Sequence, residues 1–194
     1  MNSYEKLLLE NKLWSEQRLA ADKNYFQRLA RHEDPEFLWI GGSDSRVHPN
    51  EITGSHPGEI LIHRNFGNIV HPDDRNLGSL LRHALVDLQV EHIIVCGHTA
   101  CEATRLAIRG TDDPWLAPLS QLAQSMKADL QGAKEPVKVL VEASVRAQVE
   151  SLSRHALVVS TWAKRKAPTL HGWIFDVETG RIRDLVAIGP DQPS

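Results

Sequence analysis

Two short stretches of the chain carry side chains able to do chemistry. Gly42-Ser43-Asp44-Ser45-Arg46 sets a carboxylate two residues before a guanidinium, and Gly97-His98-Thr99-Ala100-Cys101 sets an imidazole three residues before a thiol. Brought together, Asp44, His98 and Cys101 offer a carboxylate, a neutral imidazole and a potential thiolate, which are ligand types that zinc accepts. Arg46 is the natural charge-assisted partner for Asp44. Taken alone, His98-x-x-Cys101 is a weak signal, since a buried cysteine beside a hydrogen-bonded histidine is the commoner arrangement. His48, just beyond the first stretch, is either a spare donor or a loop histidine held by a hydrogen bond.

Both stretches follow apolar runs that read as buried strands. Phe37-Leu38-Trp39-Ile40 stops at Gly41-Gly42, and His92-Ile93-Ile94-Val95-Cys96, the strongest strand signal in the chain, runs into Gly97. Glu59 to Arg64 reads as another strand. Helical spacing covers Asn76 to Val90, begins again at Glu102, marks a helix after Pro118 through Leu119, Leu122, Met126 and Leu130, and gives a long helix within Val137 to Ala163. Strand, polar loop and helix therefore alternate. That pattern predicts an α/β fold, a mostly parallel sheet flanked by helices, whose functional loops gather at the carboxyl ends of the strands. Leu170 to Asp176 and Ile182 to Val186, joined by a turn at Glu178-Thr179-Gly180, close the sheet as a hairpin.

Ahead of the sheet, Leu7, Leu8, Leu13, Trp14, Leu19, Phe26 and Leu29 suggest two amphipathic helices broken near Asp22, an arm over residues 1–32. Residues 189–194 read as a loose polar tail. With 194 residues the expectation is one domain with a sizeable core.

Composition narrows the function classes. A net charge of -3 gives no electrostatic reason to expect nucleic acid or an anionic membrane as partner. The one basic cluster, Lys164-Arg165-Lys166, reads as a solvated helix end. No run approaches the roughly 20 apolar residues of a membrane span. The start of the chain lacks a secretory signal's apolar stretch. Those features and the two sparse cysteines, Cys96 and Cys101, point to a cytoplasmic protein. Cys96, inside the strong strand, reads as inert core.

Five blocks in order then carry a resemblance. Phe37 to Val47 is similar to the β-class carbonic anhydrase signature Cys-x-Asp-Ser-Arg with its preceding strand, and His92 to Cys101 resembles the second signature, His-x-x-Cys. Pro57-Gly58-Glu59, His63-Arg64-Asn65-Phe66-Gly67-Asn68 and His171-Gly172-Trp173-Ile174-Phe175-Asp176 match as well. On these residues the chain is identified as a divergent member of the β-carbonic anhydrase family, of bacterial type.

The resemblance implies reversible hydration of CO2 to bicarbonate by a zinc lyase. It assigns zinc to a cysteine at position 42, to His98 and to Cys101, with Asp44 either on the metal or paired with Arg46. Position 42 is glycine here, and Thr99, Ala100, Glu102 and Ala103 also depart from the pattern around the second cysteine. The expected set is therefore Asp44, His98 and Cys101 for the metal, with Asp44 and Arg46 in catalysis. One carboxylate, one thiolate and one imidazole give zinc the same formal charge as two thiolates and an imidazole. In that set Asp44 has two roles to fill.

The alternatives are a metal-poor, inactive relative that serves as a binding or assembly partner, and a different zinc reaction on a small carbonyl or thiocarbonyl compound. The resemblance also assigns Trp39 and Arg64 to a bicarbonate pocket, in which Phe175 lacks the family tyrosine's hydroxyl. It implies a homodimer or homotetramer built with the N-terminal arm.

Overall fold

In the computed structural model, which describes residues 1–31 and 34–191, the chain falls into two compact units, Met1–Asp34 and Pro35–Ser194. The first holds α1 (Ser3–Ala21) and α2 (Tyr25–Leu29). A capping box starts α1: the Asn2 side chain accepts from the Glu5 amide at 2.8 Å, and Glu5 accepts from the Asn2 amide at 2.8 Å. Asp22 ends the helix, as the sequence suggests.

The expectation of an amphipathic arm is corrected here. Consecutive residues on a helix point about 100° apart. Leu7, Leu8 and Leu9 therefore face three directions, and with Leu13, Trp14 and Leu19 they surround the axis instead of forming a stripe. None of the α1 residues is buried, and Leu7 is 70% exposed. Trp14 packs edge-on against Tyr25 and Phe26, with the Arg18 guanidinium over both Trp14 and Tyr25. Positions 32 and 192–194, the ends of the predicted arm and tail, lie outside the described residues.

The second unit is a five-stranded sheet in the order β2-β1-β3-β4-β5. The strands are β1 (Phe37–Gly42), β2 (Ile60–Asn65), β3 (His92–His98), β4 (Thr169–Asp176) and β5 (Arg181–Ile188). The first four run parallel, and β5 returns antiparallel from the predicted hairpin. Between β1 and β2 lies α3 (Pro49–Thr53), a five-residue helix too short for periodicity to reveal.

The predicted helix at residues 76–90 is α4 (Arg75–Arg82) continuing into a π turn over His83–Asp87. After β3 come α5 (Glu102–Arg109), α6 (Ala117–Ser125), α7 (Lys127–Gly132), α8 (Pro136–Ser153) and α9 (Ala156–Trp162). Two predicted helices are thus split. Met126 divides α6 from α7. His155 divides α8 from α9 by accepting a cap hydrogen bond from the Leu157 amide at 3.3 Å. Arg165 also differs from the solvated reading: its guanidinium bridges Glu91 at 2.9 Å and the Val90 carbonyl at 2.7 Å, tying the segment after α9 to the entry of β3.

Strand alternation builds the core. Leu38 and Ile40 of β1 and Ile93 and Val95 of β3 join one apolar cluster, while Trp39, Ile94 and Cys96 join another with Phe175. Helix α8 lies close across β3 and β4. A Cβ on Gly97 would meet Val141 and Val145 at 2.8 Å, and one on Gly172 would meet Val145 at 2.8 Å. Both glycines are there to let the helix approach.

Candidate active site

The chain leaves β1 toward β2 on one side of the sheet and returns to β3 on the other. The carboxyl ends of β1 and β3 therefore form the point where strand order reverses, the usual place for a site in an open α/β sheet. Both chemistry-bearing loops begin there.

Asp44 is clasped by Arg46. Its Oδ1 accepts from the Arg46 amide and Nε, each at 2.9 Å, and its Oδ2 accepts from Nη2 at 2.7 Å. These hydrogen bonds hold the Asp44 carboxyl far below the usual carboxylate range against the opposing effect of burial, with His98 and the Arg46 charge assisting. Arg46 Nη2 also donates to the Ala100 carbonyl at 3.2 Å, so one guanidinium ties the two loops together.

The loop backbone is pinned as well. Arg64 Nε donates to the Gly42 carbonyl at 3.0 Å, and its Nη2 donates to the Asp44 carbonyl. The Ser43 amide donates to the Asn65 carbonyl at 2.8 Å. Asn65 in turn braces its own loop through both polar atoms of its amide, each 2.8 Å from Ile69. His48 is the hydrogen-bonded loop histidine, with Nε2 2.9 Å from the Ser45 carbonyl.

On the β3 side His98 is buried at 3% exposure, with Nε2 3.6 Å from Asp44 Oδ2. Burial lowers its pKa, opposed by Asp44 and reinforced by Arg46, Arg105 and Arg64, so it is held as neutral imidazole. Among the described residues its Nδ1 is buried without a hydrogen-bond partner. Cys101 is buried at the N-cap of α5, packed in a cluster with Ile69 and Ala103, and Arg46 lies within electrostatic reach of it. Cys96 is buried, and loss of water pushes its thiol pKa far up, in keeping with an inert core residue.

Trp39 is 1% exposed and edge-on to Trp173, in the cluster that includes Phe175. Trp39 and Arg64 sit on adjacent strands, but Arg64 spends its donors on the carbonyls of residues 42 and 44. Sequence reasoning did not anticipate that brace or the Ala100 carbonyl as acceptor. Backbone carbonyls leave no trace in residue types.

Zinc can be tested against these donors. Two ligands on a tetrahedral zinc stand roughly 3.4 Å apart, given bonds near 2.0–2.1 Å, and Asp44 Oδ2 and His98 Nε2 at 3.6 Å come close to that. A pair is not a site. Among the described residues no three His, Cys, Asp or Glu side chains converge to hold a metal, both Asp44 oxygens are engaged by Arg46, and Gly42 supplies no donor. As they stand, the residues do not fit the ion.

The rest of the molecule is similar to proteins of known class. Residues 37–182 match the carbonic anhydrase family model. A carbonic anhydrase of Emericella nidulans is 34% identical over 94% of this chain and 83% of its own length. One of Pseudomonas aeruginosa is 33% identical over 85% and 80%. A solved β-carbonic anhydrase of Sordaria macrospora, described as tetrameric, superposes with a TM-score of 0.91 at 31% identity, covering 97% of this chain and all of that one (100%). The chain belongs to the β-carbonic anhydrase family.

Proposed function

We propose that this chain acts on CO2 and bicarbonate as a carbonic anhydrase of reduced activity, limited by how weakly it holds zinc. The observation that carries the reading is the Arg46-clasped Asp44 facing neutral His98 across 3.6 Å at the sheet's switch point. The family is zinc-dependent, and the donors offered here are Asp44, His98 and Cys101. For Asp44 to serve the metal it must give up a hydrogen bond from Arg46, which makes it a poor substitute for a thiolate. The chain's own residues still do part of the work. Arg46 keeps Asp44 ionised and aimed, so that Asp44 can accept a hydrogen bond from the hydroxyl of bicarbonate or from a water.

A bicarbonate at Trp39 and Arg64 would have to compete with the two backbone carbonyls for the guanidinium, and Phe175 adds no hydroxyl, so this second pocket is expected to be weak. Assembly as a homodimer or homotetramer is supported by the tetrameric Sordaria relative and by the exposed leucines of α1. A cytoplasmic setting is supported by the two free, buried cysteines.

A second reading, a catalytically silent relative acting as a binding or assembly partner, is favoured by Gly42 and by the failure of three donors to converge. Stopped-flow CO2 hydration, with the protein chelator-treated or supplied with zinc in excess, separates the two. The first reading expects a slow rate that rises with added zinc, and a rate equal to buffer at every zinc concentration leaves only the second.

A further inference from the structure

We infer that position 42 is open to a metal-binding side chain beside His98, and that a thiolate placed there would raise zinc retention. A glycine can be present because the backbone demands one, because a neighbour occupies the space, or because chemistry has been dropped. The first two explanations fail here. Gly42 is not among the residues with positive φ, so any amino acid can adopt its backbone. It closes a regular strand, in register with Asn65, and its carbonyl is held by Arg64 at 3.0 Å. A Cβ placed on it meets only His98, with Nε2 at 3.5 Å and Cδ2 at 3.6 Å, which is ordinary contact. A side chain at position 42 would therefore start beside the imidazole nitrogen that a shared metal would use. Gly41 is the counterexample next door, since its Cβ would lie 2.3 Å from Trp39 Nε1.

The inference concerns metal retention and stands apart from turnover. This chain should release zinc under conditions in which a form with a thiolate at position 42 would keep it. The test uses the full chain and three forms: the parent, Gly42→Cys and Gly42→Ala. Each is loaded with zinc, dialysed against a chelator and assayed for metal per chain, with circular dichroism to verify folding. Cobalt(II) reports the ligands, because its thiolate charge-transfer absorption strengthens with each sulfur bound.

The expected result is well under one zinc per chain for the parent and Gly42→Ala, close to one for Gly42→Cys with an affinity gain at least as large as the roughly 10–100-fold that an outer-shell partner contributes, and a stronger thiolate–cobalt band in the cysteine form. The inference is overturned if the parent keeps one zinc through the chelator, if Gly42→Cys keeps no more than Gly42→Ala, or if Gly42→Ala fails to fold, because the position would then not be open. A Gly42→Cys form that misfolds while Gly42→Ala folds also overturns it, since the thiolate was not accommodated. CO2 hydration by the zinc-loaded cysteine form is a separate readout. If it stays at the buffer rate with full zinc, the metal inference survives and the CO2 reading falls.

Discussion

The two sides of the cleft differ in how they are completed. On the β1 side Asp44 accepts three hydrogen bonds from Arg46, and Arg64 and Asn65 hold the backbone around it. On the β3 side His98 is buried with Nδ1 unpartnered, and its Nε2 is 3.6 Å from the nearest carboxylate oxygen, beyond a good hydrogen bond. The scaffold side is closed by protein atoms and the donor side is not. A glycine at position 42 therefore leaves the loop shaped as it is, because the bonds that hold it run through Asp44, Arg46, Arg64 and backbone groups.

The adjacent glycines offer the sharpest way to break this distinction. Gly41→Ala drives a methyl into the Trp39 indole, whose ring is fixed in the core beside Trp173. Overpacking of that kind costs about 1–3 kcal/mol. Gly42→Ala meets nothing tight and removes backbone freedom from the unfolded chain, so it should be neutral or stabilising by up to about 1 kcal/mol. Urea unfolding of both variants measures the contrast. Equal losses would mean that both glycines serve packing.

Asp44→Asn gives a smaller effect and tests the closed side. The pair is partly exposed, with 53% of the Arg46 side chain open to water, so its contribution is about 1 kcal/mol at most. Because the folded Asp44 pKa lies far below the unfolded value of about 3.9, the contribution is complete above that pH and is lost as pH falls from there through the folded pKa. The asparagine variant should thus be less stable than the parent at pH 7, with the gap starting to narrow below about pH 4. A gap that does not narrow at all between about pH 4 and pH 2 would assign the stabilisation to something other than the carboxylate charge.

How much of this was legible in the sequence depends on what kind of signal each feature leaves. Phe37 to Ile40 and His92 to Cys96 announce buried strands through continuous apolar runs, and the loops after them follow from the parallel alternation. The breaks at Met126 and His155 carry no glycine or proline, so periodicity ran through them. The leucines of α1 recur at helix-like intervals, but their angular positions encircle the helix. In the site, Asp44 with Arg46 was visible because both are side-chain partners two residues apart. The brace from Arg64 was not, because its acceptors are main-chain carbonyls. Gly42 was legible as a departure, but whether the backbone required a glycine there depended on φ and on the space around the Cα.

His63 provides the last and smallest test, since it separates burial from an incomplete partner set. Like His98 it is a strand histidine, 5% exposed, whose pKa is lowered by burial against the pull of a carboxylate, here Asp74 at 3.8 Å. Unlike His98 it has a nearby amide, Asn65 Nδ2, 3.3 Å from Nε2. A lowered folded pKa means that the unfolded chain takes up a proton near pH 6.5 before the folded chain does. The stability contributed by neutral His63 is therefore complete above that pH and is lost as pH falls through it toward the folded pKa. His63→Gln keeps a polar group near Asn65 but cannot titrate. It should be less stable than the parent by about 1 kcal/mol at pH 7.5 through lost packing, with the difference narrowing by pH 5. A proton NMR titration of the parent should place the His63 midpoint below 6.5. A midpoint above it would mean that Asp74 outweighs burial, that His63 is a charged partner, and that carboxylate proximity rather than burial governs the strand histidines of this sheet.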